Sequence, residues 1–318
     1  MPAYWSHYFY GVDLYHSVSN PSIKSLIKSY SSIYSLGLQG PDFLFYHPLY
    51  LASHKSKNLA SIMHTKNVSE FFCTYLTNLH KQDASSFDIL YVYLCGLLAH
   101  YTLDFSVHPY VYSRIHYNPS IHEGTNQTFE DHASLESILD YYVLQNHNRI
   151  PTKKNLLDSI SIPKEQIKVL SEFLSKTITS TYSNKLSSNC NPLDIKLSYF
   201  CMKSFLPLLY SKHGRRKKLV AYVEEKLFHQ KLLSSLLLSD TMIDTMDARN
   251  HQHKTWSNPW DKSITRISSV DELYEQATAK YTDIMSDFNL YYITKDVNLL
   301  PRIIHTIGNN SYHSGLPL

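Results

Sequence analysis

Apolar side chains recur at helical spacing along most of this chain. Between Ser22 and Leu36 they fall at Ile23, Leu26, Ile27, Tyr30, Ile33 and Tyr34, one stripe of a 3.6-residue period, and predict an amphipathic helix. Gly37-Leu38-Gln39-Gly40-Pro41-Asp42 then interrupts the pattern and reads as a loop. Further helices are predicted over Val68 to Leu79 and from Asp88 to about Val107. Pro109 biases His108 away from helical geometry, which puts His108 at or just past that helix end. Asn118 to Thr128, with Pro119, Gly124 and two asparagines, reads as a loop, and helix resumes from Phe129 to about Asn146.

Around Arg149-Ile150-Pro151-Thr152-Lys153-Lys154 histidine becomes sparse and ordinary amphipathic helices follow: Lys164 to Thr181, Leu193 to Leu209 and Lys217 to Leu238. A last one, Asp271 to Phe288, is announced by the capping box Ser269-Val270-Asp271-Glu272. Asn250 to Trp260 and Gly308 to Leu318 read as irregular, and no repeat of solenoid period is present. The expectation is an all-α protein: a chemically dense region over residues 1–150 and a helical C-terminal region, residues 151–318, packing on it.

Composition narrows this picture. With 318 residues, 43% of them hydrophobic, the chain can bury a large core, and only 8 glycines argue against a turn-rich β-architecture or a glycine-rich nucleotide fold. A formal charge of +3 argues against a dedicated nucleic-acid binder. Cys73, Cys95, Cys190 and Cys201 form no C-x-x-C pair and read as reduced, mostly buried thiols of a cytosolic protein. No basic region followed by an apolar stretch opens the chain, so a cytoplasmic location is expected. The most apolar run, Ile89 to Leu103, would measure roughly 22 Å as a helix against about 30 Å of hydrocarbon, and reads as a buried core helix rather than a transmembrane segment. The 26 tyrosines point to no chemistry by themselves.

Two pairs carry chemistry. His100-x-x-x-Asp104 and His132-x-x-x-Glu136 each set an imidazole and a carboxylate on one helical face, about 6 Å apart at Cβ. With ligand bonds near 2 Å such a pair converges on one ion, and His108 follows Asp104 by four residues. Mixed nitrogen and oxygen ligation suits zinc and also admits manganese or iron. In a chain with 18 histidines one pair arises readily by chance. An isolated carboxylate in the apolar stretch around Asp104, however, costs several kcal/mol unless paired or metal-bound.

The ordered set Ser6-His7-Tyr8, Gly37 to Asp42 with Phe45-Tyr46, His64, His100-x-x-x-Asp104-x-x-x-His108-Pro109 and His132-x-x-x-Glu136 resembles the zinc-dependent phospholipase C family, and most closely its bacterial branch without a secretion signal. The resemblance runs over residues 7 to 136. It implies a phospholipase C-like helical bundle with two to three zinc ions (Zn2+). Asp42, His64, His100 and Asp104 would surround one zinc, His108, His132 and Glu136 a second, and His7 would share a third with a bridging Asp104. Asp42 would also be the catalytic base for the attacking water. Two departures stand out. Secreted members complete the third zinc with their processed N-terminus, whereas six residues precede His7 here, leaving the amine of Pro2 as the candidate after methionine removal. The spacing from His108 to His132 is longer, which makes His122 a rival ligand, though no carboxylate follows it at i+4.

The implied activity is zinc-dependent hydrolysis of a phosphodiester by a metal-activated water. Phospholipid is the first substrate class, with peripheral contact to the inner membrane leaflet. A single-strand-specific zinc nuclease, which would want aromatic side chains that stack bases, is the second reading; Trp5, Tyr46, Tyr101 and Tyr110 could serve either a base or a lipid headgroup, while most tyrosines read as packing. The run Lys212 to Lys218 is a contact for anionic lipid or RNA, or more simply a solvated helix start. Asn250, His251, His253 and Trp256 would line the site or form a surface loop. A non-catalytic zinc staple is disfavoured by surplus ligands without cysteine, and a di-iron bundle by the absence of paired E-x-x-H motifs.

Overall fold

The computed structural model describes residues 4–48, 59–122, 126–148, 158–186, 189–211, 213–228, 233–239, 244 and 247–318. Its helices in chain order are α1 (Tyr4–Ser17), α2 (Pro21–Ser29), α3 (Ser31–Gly37), α4 (Leu59–Thr65), α5 (Val68–Leu79), α6 (Ala84–Arg114), α7 (Pro119–His122), α8 (Asn126–Asn146), α9 (Lys164–Tyr182), α10 (Pro192–Phe205), α11 (Arg215–Phe228), α12 (Leu233–Leu236), α13 (Val270–Thr294) and α14 (Leu300–Ile307). A tight 3₁₀ segment, Gly40–Tyr46, follows α3. The described β-structure in strands is one antiparallel pair, β1 (Trp256–Ser257) with β2 (Thr265–Arg266). The protein is all-α, as the apolar period predicts.

The axis of the fold is α6, 31 residues long and packed by α3, α13, α1, α5 and α9. Asp83 caps its start by accepting the amides of Ser85 and Ser86. The helix is long and apolar enough to cross a bilayer, but nearly all of its most apolar stretch is buried inside the protein. It crosses α3 at backbone distance: a side chain at Gly37 would meet the Tyr93 carbonyl, and one at Gly96 the Tyr34 carbonyl. This contact brings Leu38 and the 3₁₀ segment onto the middle of α6. One continuous apolar core runs from Tyr4 to Tyr312.

Several boundaries depart from the periodicity. The helix expected over Ser22 to Leu36 is divided at Tyr30, whose φ and ψ leave helical geometry. Helix α1 was not legible as amphipathic because it is buried on nearly all sides, at Tyr4, Trp5, His7, Phe9, Tyr10 and Leu14. Helix α6 does not stop at His108; it runs through Pro109 to Arg114. Proline leaves the Phe105 carbonyl without its helical donor, and Gly315 of the C-terminal tail packs against that carbonyl. Proline does end α10 earlier than expected, in a 3₁₀ turn Leu206–Leu208 that contains Pro207. Of the predicted helix Lys217 to Leu238, the described residues are helical over α11 and α12, and helix does not reach Leu238, which pairs instead with the backbone of Leu209 and Ser211. Helix α13 has its predicted capping box and extends to Thr294.

The tyrosine abundance has a structural account. Buried hydroxyls of Tyr34, Tyr75, Tyr110 and Tyr199 donate to the carbonyls of Gly11, Leu90, Ala248 and Ile160, tying one element to another inside an apolar core. Tyr101 and Tyr110, two of the aromatic residues considered for base stacking, belong to this buried set. The four cysteines are free thiols; Cys95 and Cys190 are buried, and Cys73 is exposed.

Candidate metal centre

Five elements deliver the eight predicted residues to one place. His7 lies on α1, Asp42 on the 3₁₀ segment, and His64 on α4. His100, Asp104 and His108 lie on successive turns of α6, with His132 and Glu136 on successive turns of α8. Asp104 is the hub. Its carboxylate is 3.0 Å from His100 Nε2 and 3.1 Å from His7 Nε2, and 3.7 Å from both His64 Nε2 and His108 Nδ1. Asp42 reaches His64 Nε2 at 3.1 Å. Glu136 Oε1 stands 3.1 Å from His108 Nε2 and 2.9 Å from His132 Nε2.

Side-chain donors converge in three groups: His7, Asp42 and His100; His64, His100 and Asp104; His108, His132 and Glu136. Two donors about 2 Å from a tetrahedral ion lie roughly 3.3 Å apart, so these separations are those a zinc site needs. Histidine tautomers agree. His64, His100 and His108 each direct Nδ1 at a carbonyl, of Ala60 at 2.7 Å, Leu38 at 3.1 Å and Tyr312 at 2.9 Å. A carbonyl can only accept, so Nδ1 carries a hydrogen and Nε2 is the nitrogen that faces the cluster and would ligate a metal. The buried atoms His100 Nε2, Asp104 Oδ2 and Glu136 Oε2 have no hydrogen-bond partner in the structure, which is the state of donor atoms awaiting a cation. The residues fit zinc.

Electrostatics point the same way. Burial alone would raise the carboxyls of Asp104 and Glu136, but the surrounding imidazoles hold both well below their ordinary values. Burial holds His7 and His132 below the usual histidine value. Burial also opposes charge on His108, yet Asp104 and Glu136 lift it to about 9. The cluster therefore keeps two buried carboxylates ionised, a charge that divalent cations balance well.

Asp42 faces a cleft whose wall includes Tyr4, Trp5, Phe43, Tyr46, Met202 and Leu206. Trp5 and Tyr46 thus stand beside the cluster. Asn250 serves structure: its amide donates to the carbonyls of Lys254, Ile267 and Ser268, while His251 and His253 are exposed and Trp256 packs on Tyr110. Pro2, Lys212 and the side chain of His122 lie outside the described residues.

Three further residues of the site escaped the sequence reading. Asp140, one turn beyond Glu136, is buried and accepts the Trp5 amide at 3.1 Å and the Ser6 amide at 2.7 Å, together with the Ser6 hydroxyl. It thereby holds the start of α1 and sets His7. Burial raises its carboxyl to about 7 against these lowering hydrogen bonds. Tyr312 and His313 arrive from the tail. The Tyr312 amide donates to the His64 carbonyl at 2.9 Å, and its own carbonyl orients His108. The His313 ring lies 5.2 Å from that of His64 and 5.9 Å from that of His108. Asp140 carried a weak signal, a carboxylate at i+4 from Glu136; the tail residues carried none.

Residues 12–189, more than half of the chain, match the family model for zinc dependent phospholipase C. No curated protein and no solved structure was found to match. The matched region holds every predicted ligand except His7, and it ends well before Tyr312 and His313.

Proposed function

This chain belongs to the zinc-dependent phospholipase C family, and on that premise we propose that it is a zinc-dependent phosphodiesterase that cleaves phospholipids. The observation that carries the reading is the convergence of eight side chains into three donor groups, one of whose members, Asp42, lines a cleft. His7, Asp42, His64, His100, Asp104, His108, His132 and Glu136 would hold two to three zinc ions. Bound there, the metal would lower the pKa of a coordinated water to about 7 and offset the charge on the phosphate oxygens.

The protein's own groups do the rest. Asp42 accepts the proton of the attacking water, and a metal ion shared with His64, whose Nε2 lies 3.1 Å away, would hold its carboxylate in place. The new P–O bond forms in line with the bond that breaks, giving diacylglycerol and a phosphorylated headgroup. His108, locked by the Tyr312 carbonyl, and His132 hold Glu136 opposite. Asp140 keeps His7 at the cluster by binding the start of α1.

A membrane-borne substrate is supported by α10. Its outer face exposes Leu193, Leu197 and Phe200 at 68%, 38% and 50%, at helical i, i+4, i+7 spacing. Lys196 and Lys203 flank this stripe, the composition of a helix that lies in a lipid interface. Phe205 at the helix end meets Tyr46 of the cleft, so the stripe leads to the site beside Asp42.

The deciding experiment offers the zinc-loaded protein a choline phospholipid in vesicles, single-stranded DNA and a chromogenic phosphodiester. Release of diacylglycerol and the phosphorylated headgroup is expected. Activity on DNA alone would overturn the substrate, and hydrolysis of none would overturn the enzyme reading.

A further inference from the structure

We propose that His313, from the C-terminal tail, is a substrate-binding residue whose imidazole N–H donates to a phosphate oxygen of the bound phosphodiester. The proposal rests on the zinc phosphodiesterase reading above. His313 lies between the two halves of the cluster: ring centroids are 5.2 Å from His64, 5.9 Å from His108 and 5.5 Å from Tyr112. A phosphate spanning the His64 and His108 groups would lie beside it.

Its environment differs from that of the eight ligands. Each of them pairs with a carboxylate or an imidazole in a convergent group, whereas His313 belongs to none of the three groups. Among the described residues its ring makes no hydrogen bond and no ion pair, and the residue is half-buried, as Asp42 and His132 are. A half-buried ring N–H beside the metal-ligating groups, with no acceptor among the described residues, suits an anionic oxygen from outside.

The position is also held in advance. The His313 amide donates to Ser311 Oγ at 3.2 Å, the Tyr312 amide to the His64 carbonyl at 2.9 Å, and Asn258 Nδ2 to the Ser314 carbonyl at 2.8 Å. Little ordering remains to be done when the ligand arrives, which raises the yield of one hydrogen bond. The recognised chemistry is the tetrahedral phosphate shared by a lipid headgroup and free inorganic phosphate.

The test compares zinc-loaded wild type, His313→Ala and His313→Gln. It reads zinc per chain by mass spectrometry, inorganic phosphate affinity by calorimetry, and KM and kcat on choline phospholipid vesicles. The expected result is an unchanged zinc count with phosphate affinity lower by roughly tenfold to a hundredfold in His313→Ala, the size of one hydrogen bond to a charged group. His313→Gln, which keeps an N–H donor, should recover most of it, and KM should rise in His313→Ala. A weaker phosphate affinity without a change of KM on vesicles would confine the contact to free phosphate and overturn the substrate role. Loss of a zinc in either variant would make His313 a ligand and overturn the proposal. Unchanged phosphate affinity would reduce it to packing. A wild type that holds no zinc would instead refute the reading on which the proposal stands, and the proposal with it.

Discussion

Gly40→Ala should damage the metal centre without touching a ligand. Gly40 has φ +52°, and a Cβ there would lie 2.0 Å from Cδ2 and 2.5 Å from Nε2 of His100. Holding alanine in the left-handed region costs about 1–2 kcal/mol. Relieving the overlap costs about 1–3 kcal/mol more, the usual range for overpacking a filled core. His100 cannot swing aside cheaply, because it is fully buried and its Nδ1 is bound to the Leu38 carbonyl two residues before Gly40. Either the ring or the segment carrying Asp42 must move. Urea unfolding of the metal-free protein should therefore show a loss of about 2–5 kcal/mol. Zinc titration should show weaker binding by roughly tenfold to a hundredfold, as for other losses of ligand support. Stability within about 0.5 kcal/mol of wild type, with zinc affinity retained, would refute the argument.

Other outcomes follow from the same geometry. Asp42→Asn keeps an oxygen for the metal but loses the proton acceptor, so turnover should fall at least about a hundredfold with zinc content largely kept; near-wild-type hydrolysis would reject the base assignment. Leu197→Ser with Phe200→Ser should weaken sedimentation with anionic vesicles by roughly tenfold or more while the melting temperature holds, since both side chains are exposed; undiminished vesicle binding would remove α10 from the membrane-facing surface. Asp140 gives a pH dependence. Its folded value of about 7 exceeds the ordinary value near 4, so the fold holds that proton more tightly. The stability this lends is complete below about pH 4 and is lost as the pH rises through about 7. Metal-free wild type should accordingly lose melting temperature relative to Asp140→Asn between pH 5 and pH 8, and a constant difference would exclude the effect.

What the sequence disclosed, it disclosed through local spacing. His100 with Asp104 and His132 with Glu136 are visible because four residues advance a helix by about one turn, and their contacts at 3.0 Å and 2.9 Å are those the spacing implies. The helical period likewise located α5, α9 and most of α6. Contacts across the chain left no such trace. Asp140 meets residues 134 and 135 positions away, and Tyr312 meets residues more than 200 positions away. Helix α1 hides because burial on nearly all sides erases the polar face that a periodicity search needs. His108 was placed at a helix end by Pro109, a sound local rule that tertiary packing by the tail overrides.

Metal analysis of the purified protein reads the multinuclear zinc cluster itself. Two to three zinc ions per chain are expected, falling when Asp104 is replaced by alanine, because that carboxylate lies within 3.7 Å of four of the histidines. One zinc per chain, two irons, or a metal content indifferent to Asp104→Ala would contradict it.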